Sequence, residues 1–231
     1  MSTTPYTVSD VMTHTAVAVG RDAPFKEIAR LMEQWKISAL PVLAGEGQVI
    51  GVVSEADLLP KEEYRDSDPA LSQEIGRAGP DGAFPRPRLP DDLVKAGALT
   101  AGELMTTPAI TVHADATLAQ AARVMARRGV KRLPVVDRHG LLEGVVSRSD
   151  LLKVFLRDDE DIAEEVTRTV VARPCLRQTV TVDVAEGVVT FGGALRDRSL
   201  VPVIARLARG VEGVVDVRVE LDEPASAPPP R

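Results

Sequence analysis

The chain has 231 residues, 44% hydrophobic and 27% charged, with a formal net charge of −6; this is a globular composition with length for several small cores, and it excludes wholesale disorder and fibrous repeats. Aromatic residues make up only 3%, so a nucleic-acid role lacks both stacking platforms and a basic field. A single cysteine, Cys175, excludes an intramolecular disulfide and a thiolate-only metal site, and His14, His113 and His139 show no ligand spacing, so no metal is expected. The first residues carry no basic, apolar leader pattern and no long apolar run occurs, which predicts a cytoplasmic protein.

The chain repeats itself at an offset of 93 residues without a gap. Met12-Thr13 recurs as Met105-Thr106, Leu40-Pro41-Val42 as Leu133-Pro134-Val135, and Gly51-Val52-Val53-Ser54 as Gly144-Val145-Val146-Ser147. Asp57-Leu58-Leu59 then recurs as Asp150-Leu151-Leu152. About 20 of the 50 positions from Asp10 to Leu59 are identical to their partners, which establishes an internal duplication. Each copy opens on an extended piece, 16–19 or 109–112, and continues into a helix. Phe25, Ile28, Ala29, Met32 and Trp35 recur at helical spacing in the first copy, which predicts a core or dimer-interface position for Trp35. Leu118, Ala121, Ala122 and Met125 do so in the second, where Thr117 and Gln120 predict a capping box. Two apolar runs follow, 40–43 and 49–53, then 133–136 and 141–146, and a short helix closes each copy. A unit of about 50 residues buries too little surface alone, so the copies are expected to pack through their sheets.

Between the copies, residues 61–98 hold five prolines and four glycines without an apolar period, and read as a connector with a helical turn near 71–75. Its net charge of about −2 excludes a polybasic arm. Residues 158–171 predict an acid-led helix with Ile162, Val166 and Val170 on one face. Strands are expected over 180–184 and 188–193 around a Glu186-Gly187 turn, a helix over 199–209, and a last strand over 214–221. Residues 224–231 read as a polar tail.

The stretches Gly51–Asp57 and Gly144–Asp150 place a Ser-x-x-Asp pair where a strand feeds a helix. Ser54 or Ser147 can cap the helix while Asp57 or Asp150 bonds back to the cap. The same geometry suits a ligand: helix amides attract phosphate, the serine hydroxyl can bond an oxygen, and the carboxylate can take both hydroxyls of a ribose. The residues leave the two readings open.

This duplicated set resembles a pair of cystathionine-beta-synthase (CBS) domains, over about two thirds of the chain. The resemblance implies a disc-like, usually dimeric module whose cleft binds AMP, ADP, ATP or S-adenosylmethionine as a regulatory ligand, with no cofactor required and no catalysis. It implies ribose and hydroxyl contacts at Asp57, Ser54, Asp150 and Ser147, and adenine lying against Val17 or Ile110. Phosphate contacts fall on Lys131, Arg132 and Arg148, which the first copy replaces by Ser38, Ala39 and Glu55, so the Asp150 cleft is expected to take a phosphorylated adenosine and the Asp57 cleft to bind weakly, to take a neutral adenosyl group, or to bind nothing. The C-terminal part resembles a BON domain through Gly187-Val188-Val189, Phe191-Gly192-Gly193 and Val211-x-Gly213-Val214-x-x-Val217, which implies a protein or phospholipid partner.

The expected fold is therefore α+β: two βαββα CBS repeats packed through their sheets, then a small αββαβ BON domain. The expected boundaries are 1–60 and 99–156 for the repeats, 61–98 for the linker, 157–223 for the BON domain and 224–231 for a disordered tail. The expected function is an adenosyl sensor, dimeric through CBS helices, that relays occupancy to a partner. The alternative is a constitutive dimeric scaffold or envelope-attachment protein with no physiological nucleotide. Cys175, a lone thiol with no histidine beside it in sequence, is expected to be inert.

Overall fold

A computed structural model of the protein describes residues 6–64, 91–172, 180–195 and 197–221. The expectations for a turn near 71–75, for Cys175 and for the 224–231 tail lie outside the described residues. Two compact units are present, one of Met12–Ala116 with Arg123–Ser147, the other of Met1–Val11 with Thr117–Ala122 and Arg148–Arg231.

The first unit contains two three-stranded sheets of the same topology. In the first, β1 (Val19–Gly20) runs parallel to β2 (Ala39–Ala44), which pairs antiparallel with β3 (Gln48–Ser54). In the second, β4 (Val112–His113) runs parallel to β5 (Arg132–Val136), which pairs antiparallel with β6 (Leu142–Ser147). The parallel pairs have two rungs each, Val19↔Val42 with Gly20↔Leu43 and Val112↔Val135 with His113↔Val136. Of the extended pieces expected over 16–19 and 109–112, only Val19 and Val112 enter the ladders, and residues 16–18 and 109–111 lie outside them, because the parallel register starts at Val19 and Val112.

The chain elements outside the sheets follow the sequence period. A short α1 (Val8–Val11) precedes β1, and α2 (Phe25–Trp35) packs Ile28 and Met32 against Val19, Leu40, Val42 and Val53. Ala98, Ala101 and Leu104 complete that core, so the segment leading into the second copy closes the first one. Trp35 is 55% exposed and is not a core residue: it is the last residue of α2, and Lys36 beyond it adopts a left-handed conformation (φ 52°) where the second copy has Gly129 (φ 68°). α3 (Glu55–Leu58) and α4 (Pro60–Glu63) follow β3. The connector reading is corrected over α5 (Asp91–Gly97), a helix packed on α4, and α6 (Ala101–Leu104) leads into the second copy. A seven-residue helix carries too little periodicity to see in sequence and is stabilised by its tertiary contacts. α7 (Leu118–Arg128) carries the expected box: Thr117 N–H donates to Gln120 Oε1 at 2.8 Å, and Gln120 N–H to Thr117 Oγ1 at 3.2 Å.

The duplication is also a pairing rule. Thr13 exchanges two backbone hydrogen bonds with Val145 (2.9 and 3.0 Å), and Thr106, 93 residues on, exchanges two with Val52 (2.9 and 3.1 Å). Each arm crosses to the other copy's antiparallel strand. A Cβ on Gly51 would lie 2.5 Å from Met105 Sδ, and one on Gly144 would lie 2.7 Å from the Thr13 carbonyl oxygen. Glycine stands at both positions because the arm lies directly on the strand.

The second unit contains α8 (Arg148–Leu152), α9 (Asp159–Val166), strands β7 (Val180–Ala185) and β8 (Val188–Gly193), α10 (Val201–Ala208) and β9 (Asp216–Leu221). β7 and β8 form an antiparallel hairpin, and β9 lies parallel to β8. Ile162, Val166, Phe191, Ile204 and Ala208 belong to its core. After Val166 the helix widens into a π turn over Thr167–Val171, where Thr169 Oγ1 donates to the Glu165 carbonyl at 2.7 Å; the hydroxyl takes an acceptor that an α-helical N–H would use. Asp159, expected only to favour the helix dipole, accepts from the N–H groups of Glu186 and Gly187, both at 2.8 Å. Both turn residues have positive φ, 52° and 72°, as a two-residue hairpin turn requires. Among the described residues no helix is long and apolar enough to cross a membrane.

Candidate functional site

Ser54 ends β3 in an extended conformation and caps α3, with Asp57 in that helix's first turn. The Asp57 carboxylate turns back on the cap. Its Oδ2 accepts from Ser54 N–H at 2.7 Å and from Ser54 Oγ at 2.6 Å. Its Oδ1 accepts from the Lys95 ammonium and, at the long limit of 3.5 Å, from Thr106 Oγ1. Asp57 is 7% exposed and is the one charged residue in the buried set among the described residues. A charge so placed persists only when paired and hydrogen-bonded, and here both conditions hold.

Beside this carboxylate opens a cleft of about 460 Å³, whose wall includes Ser54, Asp57, Thr106, Ile110, Lys131 and Arg132. Arg132 opens β5, and one terminal guanidinium nitrogen donates to Ser38 Oγ at 3.1 Å. Its Nε is buried and has no hydrogen-bond partner among the described residues. The cleft thus presents a hydroxyl, a buried carboxylate, two cationic side chains and an apolar wall.

Lys131 and Arg132 were expected to serve the Asp150 cleft, and the structure corrects that grouping: they line the Asp57 cleft, together with Ile110. The crossed arms explain it. The Val52–Thr106 pairing carries Pro108–Ile110 of the second copy alongside Ser54, and Arg132 reaches Ser38 across the copies. Val17, Ser147, Arg148 and Asp150 are not among the residues of this wall. Val17 packs against the core of the first copy. Ser147 ends β6 opposite Arg132 in the ladder, Arg148 begins α8, and Asp150 pairs with Lys153 at 2.7 Å.

Three residues at the cleft, Thr106, Ser38 and Lys95, have no site role in the sequence reading. Thr106 lay in plain view, in the duplicated Met-Thr pair, and Ser38 occupies the position that corresponds to Lys131. Lys95 had no signal, standing in a stretch without period. Elsewhere, His113 Nδ1 lies 3.0 Å from the Val136 carbonyl, and no group of three or more His, Cys, Asp or Glu could hold a metal ion among the described residues.

Comparison with known proteins agrees with this architecture. The CBS domain model matches residues 8–62 and 101–157, and the BON domain model matches 158–223. The chain is 30% identical over 153 residues to the uncharacterized protein MJ1426 of Methanocaldococcus jannaschii, covering 64% of this chain and 90% of that one. It is 30% identical over 163 residues to the chloroplastic CBS domain-containing protein CBSX2 of Arabidopsis thaliana, covering 66% of this chain and 64% of that protein. The crystal structure of CBSX2 in complex with AMP superposes with a TM-score of 0.52 at 28% identity, covering 65% of this chain and 97% of that one. The chain spans nine-tenths of the archaeal relative and under two thirds of the plant protein. Duplicated strands, crossed Met-Thr arms and Ser-x-x-Asp turns, with these matches, show that the chain belongs to the CBS-domain family, as a tandem CBS pair followed by a BON domain.

Proposed function

We propose that this protein is a non-catalytic regulator that binds an adenosyl ligand, AMP, ADP or ATP, in the Asp57 cleft and relays occupancy to a partner through its BON domain or the 61–98 segment. The observation that carries this is the buried Nε–H of Arg132, without a hydrogen-bond partner among the described residues, in the wall that also holds Ser54 and Asp57. Leaving a buried donor without an acceptor costs about 1–3 kcal/mol, and an anionic ligand oxygen recovers it. In this reading Asp57 takes the ribose hydroxyls, Ser54 adjoins them, Lys131 and Arg132 meet phosphate, and Ile110 faces the base. AMP in the CBSX2 complex supports a ligand of this class; S-adenosylmethionine is a further candidate.

Ser147, Asp150, Arg148 and Val17 are assigned to a counterpart site on the internal repeat alone. In this reading the CBS repeats occupy 1–60 and 99–156, the linker 61–98, the BON domain 157–223 and the tail 224–231. A cytoplasmic homodimer belongs to the same reading, with Trp35 (55% exposed) offering apolar surface at the end of α2, as does a protein or phospholipid partner for the BON domain.

The scaffold alternative has one observation in its favour: the Ser54 N–H and hydroxyl are already taken by Asp57. Isothermal titration of the full chain with AMP, ADP, ATP and S-adenosylmethionine separates the two. The regulator gives saturable binding, lost in Asp57→Asn and weakened about tenfold or more for AMP in Arg132→Gln, since a charge-assisted hydrogen bond contributes about 1.5–3 kcal/mol. The scaffold gives no binding with any of the four, and Asp57→Asn then shows only as lost stability, from the weakened cap, about 1 kcal/mol, together with the broken Lys95 ion pair.

A further inference from the structure

We propose that Lys95 is an internal occupant of the cleft's carboxylate, a latch that an adenosyl ligand must open; this rests on the adenosyl reading of the Asp57 cleft. An ionised carboxylate has about four acceptor positions. Those of Asp57 are taken by Ser54 N–H and Oγ on Oδ2, and by Lys95 and Thr106 on Oδ1. The two Ser54 donors are held by the turn that starts α3. Thr106 contributes a long bond of 3.5 Å. The group that can leave is Lys95, a flexible side chain, and a ribose diol gains its acceptor only when the ammonium withdraws. The pair is enclosed, with side chains 21% and 9% exposed, so the contact is not a screened surface pair.

The latch is attached to a defined piece of chain. Lys95 stands on α5, whose second polar anchor is the Lys61 ammonium donating to the Ala96 carbonyl at 3.0 Å. Beyond α5 the chain is fixed: Ala98 is buried in the core of the first copy, and Phe25 N–H donates to the Leu99 carbonyl at 2.9 Å. Opening removes the contact that ties α5 to the carboxylate and leaves the helix held by its packing on α4 and by Lys61, so residues 91–97 loosen and the loosening stops at Ala98. Cleft occupancy is thereby coupled to the segment between the CBS copies by one ion pair.

A latch closed about nine-tenths of the time raises an apparent dissociation constant about tenfold. Adenosine is the probe that isolates the effect, because Lys95 exerts no Coulomb attraction on a neutral nucleoside; AMP serves as the anionic comparison. Titrations of the full-length protein, its Lys95→Met and Lys95→Gln variants and Asp57→Asn are combined with hydrogen exchange of the 91–97 amides. The expected result is adenosine binding tightened about tenfold by Lys95→Met or Lys95→Gln, with adenosine accelerating 91–97 exchange in the natural chain and not in the variants. If Lys95→Met weakens AMP but leaves adenosine unchanged, Lys95 is a phosphate contact and the latch is overturned. Adenosine binding that is abolished by Asp57→Asn but unaltered at Lys95 keeps the cleft and rejects the latch. Absence of binding in every variant overturns the adenosyl reading and the latch with it. Should Lys95→Met fail to fold, Lys95→Gln and the exchange experiment on the natural chain decide the matter.

Discussion

Gly144→Ala is expected to destabilise the CBS module by about 1–3 kcal/mol, the range for forcing extra volume into a packed position. The new Cβ would meet the Thr13 carbonyl oxygen at 2.7 Å and Met12 Sδ at 3.0 Å. The oxygen cannot withdraw freely, because Thr13 O accepts from Val145 N–H at 3.0 Å and Thr13 N–H donates to Val145 O at 2.9 Å. Relief of the contact strains one or both bonds, each contributing about 0.5–1.5 kcal/mol. Opposing this, alanine lowers the entropy of the unfolded chain, a gain of about 0.4–1 kcal/mol, so steric cost exceeds entropic benefit. Gly51→Ala is the internal control: there the obstacles are Met105 Sδ, Cγ and Cβ, at 2.5, 2.9 and 3.0 Å; rotation of the side chain relieves the two closest and leaves only the Cβ contact, so its loss is smaller. Urea unfolding followed by far-ultraviolet circular dichroism reads the difference, since the single tryptophan, Trp35, is 55% exposed and reports poorly on the core. A Gly144→Ala protein as stable as the natural one, or a larger loss at Gly51, would refute the crossed-arm argument.

Lys36→Gly is expected to stabilise the protein by up to about 1 kcal/mol, because a left-handed lysine costs about 1–2 kcal/mol and glycine returns part of that as unfolded-state entropy. The exposed Lys36–Glu33 pair it removes contributes little, and a urea midpoint that falls would show that the left-handed cap is not strained. For Glu212, burial raises the carboxyl pKa above its ordinary 4.5, with Arg157 opposing and Glu165 adding to the rise. Its contribution is therefore fully present below that ordinary value and is lost as pH rises through the raised one. Glu212→Gln should flatten that decline in a series of urea midpoints from acidic to neutral pH, and a variant with the same slope would reject the assignment. Glu103, Asp137 and Asp197, lowered by hydrogen bonds from Leu99, Leu141 and Ser199 respectively, act in the opposite sense and lose stability as pH falls through their depressed values.

Much of the site is legible in the sequence because it is built from local geometry. Ser54 and Asp57 are three positions apart, so the capping half of the turn follows from spacing alone, as does the Thr117–Gln120 box. The partners of Asp57 across the cleft were not visible, since they come from sequence separations of 38 for Lys95 and 49 for Thr106. Grouping Lys131 and Arg132 with Asp150 was a natural inference from sequence neighbourhood, but the crossed arms break that neighbourhood. Asp159 illustrates the same limit: its place at a helix start was legible, while its acceptance from a turn 27 and 28 residues away was not.

The duplication at 93 residues, the main strands and helices of each copy, the α+β class and the two Ser-x-x-Asp turns were all written in the sequence, because each rests on identity or on a period within one segment. Only the tertiary structure decided that Arg132 of one copy reaches Ser38 of the other, 94 residues away, that Lys95 closes on Asp57, and that Trp35 faces solvent. Those outcomes depend on where packed elements meet, and a buried charge takes its partner from whichever element the packing brings within reach.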